Sequence, residues 1–296
     1  MITILDGGMG GEIQRWLPKA AHGLWSATAL IESPELVIQI HREFIDAGAD
    51  IITTNTYSTI PSYLAKANIA ERSVELTALA AGLARRAADE GDRSIRVAGS
   101  LPPLSESYRA DMVPLSSEAS PIYRQMVEAM AESVDFFLCE TMSSAEEAHC
   151  AAVQALAHGG GKPVYVSWSL DEQPGAGLRS HESVTTAHRR LTGLDIAGHL
   201  FNCTHPEAIQ AALKELGSVT ESPMGGYPNR MNAVAPGWTL DNEIETGIRS
   251  ELSIERYVEA MLGCVEAGAS ILGGCCGIGP EYIRALSHHL KAAPNA

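Results

Sequence analysis

The feature that most constrains this chain is an alternation, repeated about eight times, of short apolar β-branched runs with stretches of helical spacing. The runs are ITIL at 2–5, DIITTNT at 50–56, IRVAGS at 95–100, VDFFLCE at 134–140, VYVSWSL at 164–170, GHLFNC at 198–203, a weaker MGGY at 224–227 and SILGG at 270–274. Between them, PELVIQIHREFIDAG places Leu36, Ile40, Phe44 and Ala47 on one helical face, and SIERYVEAMLGCVEAG has similar spacing. Strand and helix in strict turn predict an all-parallel α/β sheet, either closed into a barrel or left open. The chain has 296 residues with no composition break or linker, so one domain over 1–296 is expected.

The loops divide the sheet into two unlike ends. Helix-to-strand turns such as Ala47-Gly48-Ala49-Asp50 and Ala267-Gly268-Ala269-Ser270 are tight, with glycine suited to the helix C-terminus. Several strand-to-helix loops are long: LPPLSESYRADMVPLSSEASP after the third strand, DEQPGAGLRSHES after the fifth, and 225–251 after the seventh. Parallel α/β enzymes build their sites on that end, so a binding face is expected there.

Charge narrows the partners. Lys and Arg number 21 against 36 Asp and Glu, a net −15, which repels phosphate backbones and anionic membrane surfaces. Nucleic acid and membrane are therefore not expected as partners. The start MITILDGGMG has no basic n-region, and no run of 18 apolar residues occurs; a cytoplasmic location is the expectation. Six cysteines with two of them adjacent make a poor disulfide framework and read better as reduced thiols, some of them metal ligands.

The sharpest local motif is Gly273-Gly274-Cys275-Cys276-Gly277 at the end of the last strand. Adjacent residues on a regular strand face opposite ways, so both sulfurs converge only if the chain turns. The flanking glycines, open to backbone angles closed to other residues, are expected to supply that turn. Cys203 ends a strand two earlier, and in a barrel it would share the rim with Cys275 and Cys276. Zn²⁺ favours sulfur, and three thiolates leave it a net charge of about −1 with a fourth position open, suited to activating a thiol. Buried cysteine is more often packing than chemistry; Cys139, Cys150 and Cys264 are read that way, and spacing alone leaves both readings open for the adjacent pair.

At this point the sequence resembles the homocysteine S-methyltransferases. The resemblance runs through Leu5-Asp6-Gly7-Gly8-Met9-Gly10, Leu24-Trp25-Ser26, Thr53-Thr54-Asn55-Thr56-Tyr57, Val97-Ala98-Gly99-Ser100, Cys139-Glu140-Thr141, Phe201-Asn202-Cys203, Tyr227-Pro228-Asn229 and the glycine-flanked cysteine pair. It implies a (β/α)8 TIM barrel, Zn²⁺ on Cys203, Cys275 and Cys276, and transfer of a methyl group from a cationic donor to the thiol of homocysteine, giving methionine. It also implies that Asp6 and Glu140 hold the substrate ammonium, which wants charged acceptors. Gly7 and Gly8 offer backbone amides to the substrate carboxylate. Trp25 and Tyr57 lie near the donor, whose cation aromatic faces attract, and Asn202 orients a ligand. Bland readings stand beside these: a turn aspartate, a helix-start glutamate, core aromatics and a strand-end asparagine.

The donor stays open. Thr141 after Glu140 looks like the branch using S-methylmethionine or S-adenosylmethionine, whereas the betaine-using branch usually has an aromatic there. The loop Leu101–Tyr108 departs from the glycine-rich loop usual in S-methylmethionine enzymes. A zinc hydrolase would want histidines or carboxylates around a metal-bound water, and a non-catalytic zinc- or thiol-binding barrel is the remaining alternative. His205 is expected to start a helix ahead of Pro206 rather than bind metal, His288-His289 to face solvent, and Gly159-Gly160-Gly161-Lys162 to be a connection.

Overall fold

The computed structural model describes residues 2–17, 24–235, 237–239 and 246–292. Eight parallel strands form the centre: β1 Thr3–Ile4, β2 Ile51–Thr53, β3 Arg96–Leu101, β4 Phe136–Met142, β5 Val164–Trp168, β6 Ile196–Asn202, β7 Met224–Tyr227 and β8 Ile271–Leu272. They pair in the order β1-β8-β7-β6-β5-β4-β3-β2, and a parallel bridge from Leu5 to Ile51 joins the two ends. The sheet is therefore a closed (β/α)8 barrel, the closed one of the two forms expected.

Helices surround it. Those among the described residues are α1 Met9–Trp16, α2 Ala27–Glu32, α3 Pro34–Ala47, α4 Pro61–Leu64, α5 Ser73–Asp89, α6 Ser116–Met130, α7 Ala145–His158, α8 Val184–Arg190, α9 Pro206–Leu216, α10 Ile254–Glu266 and α11 Pro280–Ala292. In α3, Ile40, Phe44 and Ala47 are buried as expected, while Leu36 is only half-buried and Val37, Ile38 and His41 complete the face. Gly48 ends that helix at φ +109°, where a left-handed residue closes the last turn.

Alternation along each strand sorts the side chains into two cores. Phe137, Cys139, Val166, Phe201 and Leu272 face out against the helices. Leu5, Ile51, Ala98, Phe136, Leu138, Leu200 and Ile271 face in, with Tyr227 above them. One pleat further on, the inward positions turn polar: Ser100, Glu140, Ser167 and Asn202, all buried. The barrel thus has an apolar floor and a hydrogen-bonding layer at its C-terminal end. Long loops cover that end, at 102–115, 169–183 and 228–253, the last only partly within the described residues. No helix among the described residues is long and apolar enough to cross a membrane.

Candidate metal and substrate site

Cys203 follows the last residue of β6 and adopts φ +51°, left-handed backbone that a β-carbon ordinarily resists. Its amide donates to Tyr227 O at 3.2 Å, so the turn is pinned to β7. Cys275 and Cys276 lie in the turn after β8, fixed on both sides: Gly274 N donates to Asp6 O (2.9 Å), Cys275 N to Pro228 O (2.8 Å) and Arg230 N to Cys276 O (2.8 Å). The sulfurs of Cys203, Cys275 and Cys276 all lie within 4.8 Å of one another, and those of Cys203 and Cys276 are 3.6 Å apart.

The glycines achieve this differently from expectation. Only Gly277, at φ +77°, uses a left-handed angle. Gly273 and Gly274 provide room instead: a β-carbon on Gly274 would sit 2.2 Å from Ile278 Cγ2, and one on Gly273 would sit 2.6 Å from Leu5 Cβ. Gly7 and Gly8 are constrained in the same way, with hypothetical β-carbons 2.2 Å from Ile278 O and 2.7 Å from Cys275 O. Gly8 N–H already donates to Ile278 O at 2.9 Å. That bond and the close approaches of Gly7 and Gly8 show the pair allowing the β1 and β8 loops to touch.

Three sulfurs this close share protons unevenly. Cys203 is held well below the usual thiol range, chiefly by hydrogen bonds from Cys275 and Cys276, with Tyr108 and Asn229 adding to them. Their hydrogen bonding with Cys203 pushes Cys275 and Cys276 upward in turn. Tyr108 Oη lies 2.9 Å from Cys203 Sγ, and Asn229 Nδ2 donates to it at 3.7 Å. A soft divalent cation relieves such crowding by replacing the shared protons, so the donor set fits Zn²⁺. Among the described residues this is the one group of three or more Cys, His, Asp or Glu side chains placed to hold a metal.

Two buried carboxyls stand beside the sulfurs. Asp6 accepts from Thr53 N (2.7 Å) and Thr53 Oγ1 (2.9 Å), yet burial pushes its pKa up to about 8, with Glu140 adding to the rise. Glu140 accepts from Ser100 Oγ at 2.5 Å and Tyr227 Oη at 3.3 Å; burial, then the negative charge of Cys203, raises it to about 7. A shift of register in β4 between Cys139 and Met142, with Thr141 at φ +60°, carries the strand past Glu140. Asn202 takes Thr141 N (2.9 Å) and Ser167 Oγ (2.7 Å) on its oxygen and donates to Thr141 Oγ1 (2.8 Å). Its amide nitrogen also lies 4.0 Å from Cys275 Sγ. It thus ties β4, β5 and β6 together beneath the site and touches Cys275 across the barrel rather than its neighbour Cys203. Trp25 and Tyr57 meet edge to face at 6.0 Å. Gly10 leaves room for that indole, since a β-carbon there would lie 2.3 Å from the ring.

Sequence reasoning assigned no role to Tyr108, Arg179, Trp238, Ser100, Tyr227 or Asn229. Ser100, Tyr227 and Asn229 stood inside the resembling motifs; the other three reach the site from loops, with no pattern to signal it. The residues set aside behave as expected. His205 lies outside the sulfur group, beside Met231 O (3.2 Å) and Glu172 (3.5 Å), at the cap of α9. His288 and His289 are exposed on α11, and 159–162 link α7 to β5. Cys139, Cys150 and Cys264 are buried in the outer core.

Comparison with known proteins identifies the family of the chain. The family profile described as homocysteine S-methyltransferase matches residues 3–290. Homocysteine S-methyltransferase 3 of Arabidopsis thaliana is 30% identical over 99% of this chain and 91% of its own length. Selenocysteine Se-methyltransferase of Brassica oleracea var. italica is 31% identical over 97% of this chain and 88% of its own. The metallated form of the homocysteine methyltransferase MmuM from Escherichia coli superposes with a TM-score of 0.80 at 26% identity, covering 97% of this chain and 96% of that one.

Proposed function

Because the chain belongs to the homocysteine S-methyltransferase family, we propose that it methylates the thiol of homocysteine, using Zn²⁺ held by Cys203, Cys275 and Cys276 and a cationic methyl donor. The carrying observation is the convergence of these three sulfurs, from the ends of β6 and β8, beside two buried carboxyls. When bound, the metal supplies the Lewis acidity that keeps an incoming thiol deprotonated yet nucleophilic at neutral pH.

The chain's own residues do the rest. Asp6 and Glu140 receive the substrate ammonium; its positive charge offsets their desolvation, so both ionise as it enters. Thr53, Ser100 and Tyr227 fix the directions of those carboxylates through the bonds described above. Trp25 and Tyr57 offer aromatic surface to the donor, stabilising its positive charge until the methyl group leaves. A sulfonium departs as a neutral thioether, so the leaving group needs no proton. Alignment of thiolate, methyl carbon and leaving sulfur is therefore the main task of the loops.

The test is a methyl-transfer assay with zinc-loaded protein and homocysteine, offering S-methylmethionine, S-adenosylmethionine, dimethylsulfoniopropionate and betaine in parallel. Methionine formed from a sulfonium donor supports the reading, and the preferred donor identifies the branch. No methionine from any donor, with zinc at one per chain, rejects it.

A further inference from the structure

Arg179 and Trp238 have no part in the chemistry above, yet two further loops bring them to the ring of Tyr108, whose hydroxyl meets a sulfur of the site. We propose that Tyr108 is a positioning residue of the sulfur site: its hydroxyl donates a hydrogen bond to Cys203, and Arg179, clamped behind its ring by Glu172, holds it there. This rests on the reading that Cys203, Cys275 and Cys276 bind zinc.

The contact is built from outside the barrel wall. Tyr108 belongs to the loop after β3 and sits at φ +65°, a conformation that surrounding contacts must hold. Its Oη is 2.9 Å from Cys203 Sγ. The Arg179 guanidinium lies 4.9 Å from the centre of the Tyr108 ring, and Trp238 packs on that ring at 5.6 Å. Arg179 is itself fixed, with its side chain 10% exposed, Nη2 2.6 Å from Glu172 Oε1 and Nε 3.4 Å from Ser169 Oγ. The loop after β5 folds back to present it: Asp171 N donates to Gly177 O and Arg179 N to Ser169 O. Gly177, at φ +91°, allows the bend, since a β-carbon there would lie 2.2 Å from Glu182 O.

The arrangement matches what a zinc–trithiolate centre needs. Such a centre carries about one net negative charge in a poorly hydrated site. A phenol O–H directed at one thiolate spreads that charge, and a cation over the ring face makes the phenol a stronger donor. Glu172 orients the guanidinium. Outer hydrogen bonds of this kind fix a ligand's direction and tune its donation to the metal.

The experiment compares full-length wild type, Tyr108→Phe, Arg179→Met and the double variant. Tyr123→Phe is the control: it loses a buried hydroxyl bonded to Pro102 O at 3.0 Å, on the same loop but away from sulfur. Zinc affinity is measured by chelator competition, and the thiolate-to-metal charge-transfer band is recorded on the cobalt(II) forms. Tyr108→Phe is expected to bind zinc about 10- to 100-fold more weakly. Its cobalt band should move to lower energy with its intensity kept, because Cys203 remains bound but becomes a stronger donor. Arg179→Met should move both readouts the same way by less and add nothing in the Tyr108→Phe background; Tyr123→Phe should match wild type. Wild-type affinity and an unmoved band in Tyr108→Phe overturn the proposal while leaving the zinc reading intact. Equal effects of Arg179→Met in both backgrounds overturn the link from Arg179 through Tyr108, and a wild-type chain that binds no metal overturns both readings.

Discussion

The barrel uses the same residue types twice, at its rim and in its wall. Cys203, Cys275 and Cys276 at the rim have counterparts in Cys139, Cys150 and Cys264 in the wall, and the rim carboxyls Asp6 and Glu140 have one in Glu147. Burial does not distinguish the carboxyls, nor Cys203 from the wall thiols, although Cys275 and Cys276 are only half-buried. Glu147 is as enclosed as Glu140, and burial likewise raises it to about 7. Its surroundings do distinguish it. Glu147 Oε2 accepts Ser143 N at 2.7 Å while Ser144 Oγ accepts Glu147 N at 3.2 Å, so the residue closes the start of α7. Cys264 is pushed up to about 12 by burial and remains a neutral packing group. At the rim, three thiols answer to one another. A shifted pKa therefore marks enclosure, and convergence of several groups marks a site.

The sharpest way to break this comparison is to exchange sulfur for oxygen in each set. Cys203→Ser, Cys275→Ser and Cys276→Ser should each lower zinc content to below about 0.1 per chain and methyl transfer by about 10³-fold or more, since the thiolate ligand set is lost. Elemental analysis and the methionine assay read this out. Cys139→Ala and Cys264→Ala should keep full zinc content and lose only stability, about 1–2 kcal/mol for a small cavity, seen in denaturant unfolding. A wall variant that loses metal would erase the distinction.

The carboxyls sharpen it. Asp6→Asn and Glu140→Gln should raise KM for homocysteine by about 10- to 100-fold, the worth of one charge-assisted hydrogen bond. Glu147→Gln should leave KM alone and cost about 1 kcal/mol of stability as a weakened cap. Steady-state kinetics beside unfolding curves separate the two outcomes.

The barrel and its sulfur site were legible in the sequence because each rests on local chemistry. β-branched runs fixed the strands, and strand-end cysteines flanked by asparagine or glycine marked the rim. β7 read weakly because Gly225 and Gly226 are chosen for what surrounds them: β-carbons there would lie 2.5 Å from Ile271 O and 2.6 Å from Ile209 Cγ2. DIITTNT suggested a longer strand than β2; past Thr53 the link to β3 passes to side chains, with Thr54 Oγ1 accepting Ser100 N (3.0 Å) and Thr56 Oγ1 donating to Ser100 O (2.8 Å). Tyr108 and Arg179 were illegible because their meeting depends on how two long loops fold over the rim, which no spacing encodes. The packing role of Gly8 was illegible too, because a glycine that lets two loops touch and one that offers an amide look alike in sequence.

Protons give a finer test. At the rim, a substrate ammonium should force Asp6 and Glu140 to ionise from pKa values of about 8 and about 7, so methionine binding at pH 7 should release protons. Calorimetry in buffers of different ionisation enthalpy counts them, and Glu140→Gln should release fewer. In the wall, Glu147 has a folded pKa of about 7 against an ordinary 4.5. The native state then holds the proton between those values, so this contribution to stability is complete below pH 4.5 and is lost as pH rises through 7. The stability difference between wild type and Glu147→Gln should fall across that window, at most about 1.4 kcal/mol per pH unit. A flat difference would remove Glu147 from the comparison.

X-ray absorption at the zinc edge tests the central claim most directly, with spectra of the zinc-loaded protein taken before and after saturation with homocysteine. The account predicts three sulfurs at about 2.3 Å together with a lighter ligand, becoming four sulfurs at that distance when the thiol binds. A sulfur count that stays at three under saturating homocysteine, or a first shell dominated by nitrogen and oxygen, would contradict it.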